Sequence, residues 1–194
     1  MYRVMGAALA AVSLTFSASA HAGAVDEVKL GLLAHNICVT SCKNADKEDS
    51  PIVDVQVNFR APALLKWVGA PHPYVSLSPN LSGDTSFGAA GLEWRWEFVE
   101  GWAIAPSFGY ALHNGKLTNP YPNGDPRASV FSRDHVLYGS RDLFRSSIGL
   151  QREFGEHWRA ETYYVHYSHG QIIGHDRNQG SDQAGIRINY KFGD

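Results

Sequence analysis

The chain has 194 residues, a formal charge of −2 and a mean hydropathy of −0.25. Its length fits one ordinary domain, while the lack of long apolar runs and of excess positive charge argues against a helical membrane bundle and a basic nucleic-acid-binding face. A hydrophobic content of 44%, with 9 Phe, 9 Tyr and 5 Trp, is too high for a disordered chain.

Residues 1–22 carry the features of an export signal. Arg3 precedes an apolar stretch over residues 4–16, and small residues follow at positions 18, 19, 20 and 22. This order predicts a cleavable secretory signal peptide, with residues 23–194 as the mature domain. A membrane anchor is the less favoured alternative, because it requires an apolar core of about 20 residues.

The two cysteines, Cys38 and Cys42, lie in a short polar segment of the exported chain. An oxidising compartment favours a disulfide between them. A metal site that includes the nearby His35 is the alternative, but no second pair of ligands follows in the sequence. We therefore expect a disulfide, with no metal and no cofactor.

The mature chain repeatedly alternates apolar and polar residues with a period of two, which is typical of β-strands. Val53 and Val55, for example, share one face of segment 51–60, and Asp54 and Gln56 share the other. The same pattern runs through segments 91–99, 101–113 and 182–192. A soluble β-sandwich also alternates, so the pattern alone does not say which face is exposed.

Three features favour a membrane barrel: the signal peptide, alternating runs of about 9–11 residues, and aromatic residues near the ends of these runs. We therefore predict an all-β fold, an eight-stranded antiparallel transmembrane β-barrel in the bacterial outer membrane. The candidate strands are roughly residues 27–35, 51–60, 72–80, 85–98, 102–113, 136–153, 157–168 and 182–192.

The lengths of the connections give the orientation. From a periplasmic N-terminus, the long segments 36–50, 114–135 and 169–181 and the short segment 81–84 fall outside the cell, and long outer connections are typical of such barrels. Eight strands leave room only for side chains, so the charged residues are expected to pair inside the barrel and not to line a channel. These residues are Asp54, Arg60, Glu93, Arg95, Glu97, Arg145, Arg159 and Glu161.

The seventh candidate strand holds a polar pair on the face that is expected to contact lipid. If Arg159 and Glu161 face the lumen, then His166 and Ser168 face outward. Polar groups lose hydration in hydrocarbon. However, His166 lies roughly 23 Å above His157, at the outer edge of an apolar band about 25 Å tall. The pair is thus predicted at the depth where an outer-leaflet lipid changes from sugar to acyl chain.

These residues have the types that acyl transfer requires. Residues two apart on a strand project the same way, about 6.6 Å apart, so the His166 imidazole can lean toward the Ser168 hydroxyl as its base. Asp182 begins the next strand across a hairpin and shares the outward parity. We expect Asp182 to orient the imidazole, which completes a Ser-His-acid triad.

At this point the chain resembles the PagL-type lipid A 3-O-deacylases, eight-stranded outer-membrane barrels with a Ser-His-Glu triad on the lipid-facing wall. The similarity is carried by HYSHG (166–170) and RNQGSD (177–182), and more loosely by residues 139–161. It implies catalytic roles for His166 and Ser168, with Asp182 at the position of the family's Glu. It also implies an oxyanion-hole role for Asn178, and the Gly170 backbone N–H is a further donor candidate on geometric grounds.

Two positions depart from the family pattern. His169 follows the serine where the family has Asn, and we expect its imidazole to serve as a weaker donor to the oxyanion. Asp182 is one methylene shorter than Glu, and the interval from His166 to Asp182 is longer than in the family.

The leading hypothesis is a serine esterase that removes an ester-linked 3-hydroxyacyl chain from lipid A, or lipopolysaccharide, in the outer leaflet. Its expected partners are this substrate and other outer-membrane lipids, without nucleic acid; a homodimer, the acyl position and the chain length stay open. One alternative is a non-enzymatic small barrel, an adhesin or structural protein, suggested by the long segment 114–135. Another is an acyltransferase with its site in the lumen, which requires His166 and Ser168 on the inner face.

Overall fold

The alternating segments fold into nine β-strand segments within residues 24–174 and 177–192, the part of the chain that the computed structural model describes. They are β1 (Val25–Ala34), β2 (Ile52–Phe59), β3 (His72–Ser78), β4 (Phe87–Glu93), β5 (Trp96–Val99), β6 (Trp102–His113), β7 (Asp142–Phe154), β8 (Trp158–Ser168) and β9 (Ser181–Lys191). The predicted signal peptide, residues 1–22, lies outside the described residues and stays a prediction.

The strands close into an antiparallel barrel. β1 pairs with β2 on one side and with the last strand, β9, on the other. β4 and β5 both pair with β6, so together they make one interrupted wall strand and the barrel has eight strands. The predicted fold is therefore confirmed, and every candidate strand overlaps an observed one.

The interruption between β4 and β5 lies opposite Pro106 of β6. The Trp94 N–H donates to the Pro106 carbonyl oxygen over 2.9 Å. In an antiparallel ladder the N–H and C=O of one residue point toward the same neighbour. Proline has no N–H to return, so the ladder loses a bond at this point and the strand breaks at Trp94 and Arg95.

The two faces of the wall divide as the alternation predicts. Apolar side chains point outward and are exposed to the surroundings; they include Leu30, Leu32, Leu77, Phe108, Ile148 and Ile186. Polar and charged side chains point inward and are buried; they include Lys29, Asp54, Gln56, Glu93, Arg145, Arg159, Glu161 and Arg187. The outward apolar face is the surface that a transmembrane barrel presents to lipid.

Most of the inward charges pair with one another, whereas Arg145 has no ion pair among the described residues and donates instead to Ser107, Gln56 and Tyr163. Glu161 lies 2.7 Å from Arg187 and 3.4 Å from Lys29, and Arg187 lies 3.2 Å from Asp54. Three of the predicted interior charges lie at or beyond the periplasmic ends of their strands, where Arg95 still points inward and pairs with Glu153 over 3.1 Å. Arg60 and Glu97 are exposed there, and Arg95 is half-buried.

The outer connections hold more structure than the sequence pattern predicts. β7 begins only at Asp142 and not near residue 136, because residues 136–141 pack into the outer mouth of the barrel. The Val136 N–H, for example, donates to Glu48 over 3.0 Å. The same connection contains helix α1 (Pro126–Asp134), capped by Asp125. No helix in residues 24–174 and 177–192 is long and apolar enough to cross a membrane.

Candidate active site

Strand register brings His166 and Asp182 together on the outward face. His166 of β8 lies directly opposite Asp182 of β9 on one side and Ser146 of β7 on the other. Directly opposed residues of antiparallel strands have Cβ atoms about 4.5–5.5 Å apart on the same face. The hairpin between β8 and β9 therefore joins two residues that are 16 apart in the sequence.

A hydrogen bond connects the two side chains. His166 Nδ1 lies 2.7 Å from Asp182 Oδ1. A carboxylate only accepts, so Nδ1 carries the proton and Nε2 is the acceptor of the neutral imidazole. The Asp182 side chain is fully buried, whereas that of His166 is 26% exposed. The imidazole is thus accessible from the membrane side, while the carboxylate that orients it is covered.

Asp182 is covered by the first outer connection, which sequence reasoning did not place here. Thr40 N and Ser41 N each donate to Asp182 Oδ2 over 2.6 Å, and Thr40 Oγ1 donates to Oδ1 over 2.8 Å. Tyr164 OH also donates to Oδ1 over 2.8 Å. These contacts explain how an acidic side chain of outward parity is buried with its hydrogen bonds satisfied.

The covering segment is closed by the expected disulfide, which joins Cys38 and Cys42. Thr40 lies midway between the two cysteines, and its Oγ1 is also 2.9 Å from His166 Nδ1. Pairing of the first strand with the last, which closes the barrel, could have predicted this contact, because it places the connection after β1 beside the start of β9. Nothing in the residue types alone identifies Thr40 or Ser41.

Ser168 ends β8 two residues beyond His166, on the same outward face. It is half-buried and lies opposite Phe144 of β7. In the described part of the chain no hydrogen bond joins Ser168 Oγ to the His166 ring. Catalytic hydrogen bonds often become short only in the substrate complex, so the shared face is the relevant observation.

A groove on the outer wall leads to the His166 ring. It has a volume of 510 Å³ and is lined by Thr40, Ser146, Ser147, Ile148, Tyr164 and His166. Phe144 and Phe108, whose rings stack with centroids 5.6 Å apart, lie on the neighbouring strands next to it. The groove thus combines apolar walls with an accessible imidazole, which is the composition expected of a site for an acyl chain.

The three predicted oxyanion donors lie in different surroundings. Gly170 is exposed and has a left-handed backbone, with φ of 59°. Asn178 is half-buried, and its Oδ1 is buried with no hydrogen-bond partner among the described residues. His169 is fully buried, and its Nδ1 accepts the Gln171 N–H over 3.1 Å. Strand parity directs His169 inward, away from Ser168, so it is not placed for the role expected of it.

The positions of these side chains bear on two alternative hypotheses, a metal site and a lumen-facing acyltransferase site. Among residues 24–174 and 177–192, no group of three or more His, Cys, Asp or Glu side chains is arranged to hold a metal ion. His166 and Ser168 point outward, so the acyltransferase hypothesis, which requires both on the lumen face, is wrong for this pair.

Comparison with solved structures agrees with the fold. The chain superposes on the crystal structure of the outer membrane enzyme PagL with a TM-score of 0.59 and 12% identity, covering 84% of this chain and 97% of that one. It also matches a de novo designed transmembrane β-barrel with a TM-score of 0.50 and 9% identity, over 87% and 95% of the two chains. No curated protein sequence matches the chain.

The family model for lipid A 3-O-deacylase (PagL) matches residues 65–191, which is about two thirds of the sequence. This stretch contains His166, Ser168 and Asp182, but not the connection that holds Thr40. The predicted location, the bacterial outer membrane, agrees with both the family and the barrel fold. The chain therefore belongs to the PagL family of lipid A 3-O-deacylases.

Proposed function

We propose that the protein is a serine esterase that hydrolyses the ester-linked 3-hydroxyacyl chain of lipid A from within the outer leaflet. Ser168 is the nucleophile, His166 its general base and Asp182 the group that orients the imidazole. The observation that carries the proposal is the 2.7 Å contact between His166 Nδ1 and Asp182 Oδ1 on the outward face, with Ser168 next along that face.

The reaction follows from this arrangement. Ser168 Oγ attacks the ester carbonyl carbon while His166 Nε2 takes the hydroxyl proton and then passes it to the departing sugar oxygen. Water, deprotonated by His166, then attacks the acyl-enzyme, which releases the 3-hydroxy fatty acid and restores the Ser168 hydroxyl. Asp182 stabilises the imidazolium that forms in each step.

The negative oxygen of each tetrahedral intermediate requires hydrogen-bond donors. The Gly170 N–H comes two residues after the nucleophile, just beyond the end of β8, and the Asn178 amide lies on the connection between β8 and β9. We assign the oxyanion to these two donors. A substrate in the same leaflet reaches them by diffusing along the barrel wall, with its acyl chains against the apolar groove beside Tyr164 and Ile148.

Mass spectrometry of lipid A from cells that express wild type, Ser168→Ala or Ser82→Ala tests the proposal. Wild type and Ser82→Ala, which alters an exposed outer-loop serine, are expected to yield lipid A lacking one 3-hydroxyacyl chain. Ser168→Ala is expected to lower the rate by roughly 10³-fold or more. Identical lipid A with and without the wild-type protein would favour the non-enzymatic barrel instead.

A further variant checks the identity of the nucleophile. Ser146 also faces outward, lines the same groove and lies opposite His166 in register. Loss of activity in Ser146→Ala together with retained activity in Ser168→Ala would show that the nucleophile is assigned wrongly.

A further inference from the structure

The segment closed by the Cys38–Cys42 disulfide forms a cap over Asp182, and we call residues 38–42 the disulfide clamp. It provides three of the hydrogen bonds to the carboxylate: two backbone N–H groups to Oδ2 and the Thr40 hydroxyl to Oδ1. The clamp lies before residue 65, where the match to the family model begins. It is therefore a feature of this chain that the family comparison does not account for.

We propose that the disulfide clamp is a positioning element of the active site, so that ester hydrolysis depends on an intact Cys38–Cys42 bond. Thr40 and Ser41 hold Asp182 against His166, and the disulfide holds Thr40 and Ser41 in the required turn. The inference rests on the proposed function, because the hydrolytic step is what the clamp supports.

The surroundings of the clamp show what the disulfide contributes. The chain on either side of it is docked without help from the cysteines. Ile37 N donates to the Asp182 carbonyl oxygen over 3.0 Å, and Asn44 Nδ2 donates to the Gly180 carbonyl oxygen over 2.8 Å. Val39 and Thr40, by contrast, are exposed, so burial contributes little to their order. Apart from the hydrogen bonds to Asp182 itself, the cross-link is the restraint that holds this short stretch in one conformation.

The two donors to Oδ2 require that restriction. Consecutive backbone N–H groups converge on one oxygen only when the chain turns tightly around it, and an extended Val39–Ser41 segment does not satisfy this. If the clamp opens, Asp182 loses donors and gains rotamer freedom, which separates its Oδ1 from His166 Nδ1. Reduction of the disulfide to two thiols, with oxidation of the reductant, is thus expected to slow the reaction without unfolding the barrel.

Steady-state kinetics of the purified full-length protein in detergent micelles, with lipid A as substrate, test this. Cys38→Ser combined with Cys42→Ser is expected to lower kcat about 10- to 100-fold with little change in KM. Dithiothreitol, which becomes a cyclic disulfide as it reduces the bond, is expected to lower wild-type kcat similarly and to leave the double variant unchanged. Heat-modifiable gel migration of all forms reports barrel closure.

Substitutions of Thr40 separate the hydroxyl from the backbone. Thr40→Val keeps the shape and the N–H but removes the donor to Oδ1, and is expected to lower kcat about tenfold. Thr40→Ser keeps the hydroxyl and is expected to stay within about twofold of wild type, because the donated bond is retained. Equal kcat for Thr40→Val and Thr40→Ser would contradict a positioning role for the hydroxyl.

Amide hydrogen exchange tests the clamp without reference to turnover. Protection of the Thr40 and Ser41 amides is expected in wild type and in Ser168→Ala, and is expected to be lost after reduction. Wild-type kcat in the double cysteine variant, or unprotected amides in oxidised wild type, would overturn the inference. Failure of the proposed function is separate: wild type would then turn over lipid A no faster than Ser168→Ala.

Discussion

The barrel contains two networks built around buried carboxylates, one inside the lumen and one on the outer wall. Inside, Glu161 lies between two cations, Lys29 and Arg187, at 3.4 and 2.7 Å. On the wall, Asp182 accepts only from uncharged donors and from His166; among the described residues no Lys or Arg lies within ion-pair distance of it.

The difference separates a structural carboxylate from one suited to catalysis. A cation neutralises Glu161 permanently, so this carboxylate stabilises the packing of the lumen and has no charge to offer elsewhere. Uncharged donors hold Asp182 in place without supplying a positive charge, so in the proposed mechanism its negative charge is available to the imidazolium of His166. The kind of partner, more than burial, distinguishes the two carboxylates.

Replacing the wall carboxylate has the largest expected effect. In Asp182→Asn the introduced amide keeps the size of the side chain but turns its NH₂ toward either His166 Nδ1 or the clamp. Either the wrong imidazole tautomer forms or a backbone donor is lost, so kcat is expected to fall roughly 10³- to 10⁴-fold. The unfolding free energy in lipid vesicles is the control, and a variant with normal kcat would remove Asp182 from the triad.

Replacing the lumen carboxylate is expected to affect stability instead. Glu161→Ala removes one of the carboxylates that Lys29 and Arg187 share, although Glu93 and Asp54 stay beside them. One buried positive charge is then uncompensated, so the unfolding free energy is expected to fall by about 3–5 kcal/mol. Urea titration in lipid vesicles, followed by tryptophan fluorescence, measures this. Thr162→Ala, on the outward face of the same strand, is the matched control. A large fall in kcat per folded molecule, with little loss of unfolding free energy, would contradict the purely structural role of Glu161.

Two neighbouring tyrosines, Tyr163 and Tyr164, allow the same comparison between the lumen and the outer wall, with smaller expected effects. Tyr163 points inward, where Arg145 donates to its hydroxyl, and Tyr164 points outward and donates to Asp182. Tyr164→Phe is expected to lower kcat about fivefold, corresponding to about 1 kcal/mol for one hydrogen bond, at unchanged stability. Tyr163→Phe is expected to lower stability at unchanged kcat. Measuring kcat and urea midpoints for both variants shows whether the two effects are separated.

Glu48 is a buried carboxylate in the outer mouth of the barrel that belongs to neither network, and its expected effect on stability is the smallest. Burial raises the pKa of Glu48, but the His35 imidazole 3.7 Å away and hydrogen bonds from Thr85 and the Val136 N–H lower it by more, so the pKa lies below the ordinary 4.5. Because the folded pKa is depressed, Glu48 stabilises the fold at neutral pH. This contribution is lost as pH falls from the unfolded pKa through the folded one.

The measurement for Glu48 is limited proteolysis of the outer connections at pH 7 and below pH 4. Wild type is expected to become more susceptible at the lower pH, and Glu48→Gln is expected to show a smaller change between the two conditions. Equal pH dependence in the two proteins would assign the effect to other carboxylates.

The sequence predicted the wall better than the connections. Strand bounds follow from period-two alternation, because every second residue must suit either lipid or the lumen. The same parity rule placed His166, Ser168 and Asp182 on one face. The late start of β7 and helix α1 were missed, because packing of residues 136–141 against Glu48 and neighbouring loops, and not alternation, determines that conformation.

Parity also explains the errors near the site. It assigns a face and not a neighbour, so it gave no indication that Thr40 and Ser41 cover Asp182. It directs His169 inward, yet the resemblance to a family motif suggested a role beside Ser168. At that position the physical pattern was the better guide than the alignment of short motifs.

The seam between β1 and β9 has a consequence for the biogenesis of the enzyme. The clamp follows the first strand and Asp182 begins the last, so the site is complete only after the two ends of the barrel have joined. In a chain whose barrel has not closed, Asp182 lacks the hydrogen bonds that Thr40 and Ser41 donate to it. Under the proposed function, hydrolysis of lipid A therefore begins only with the event that seals the barrel.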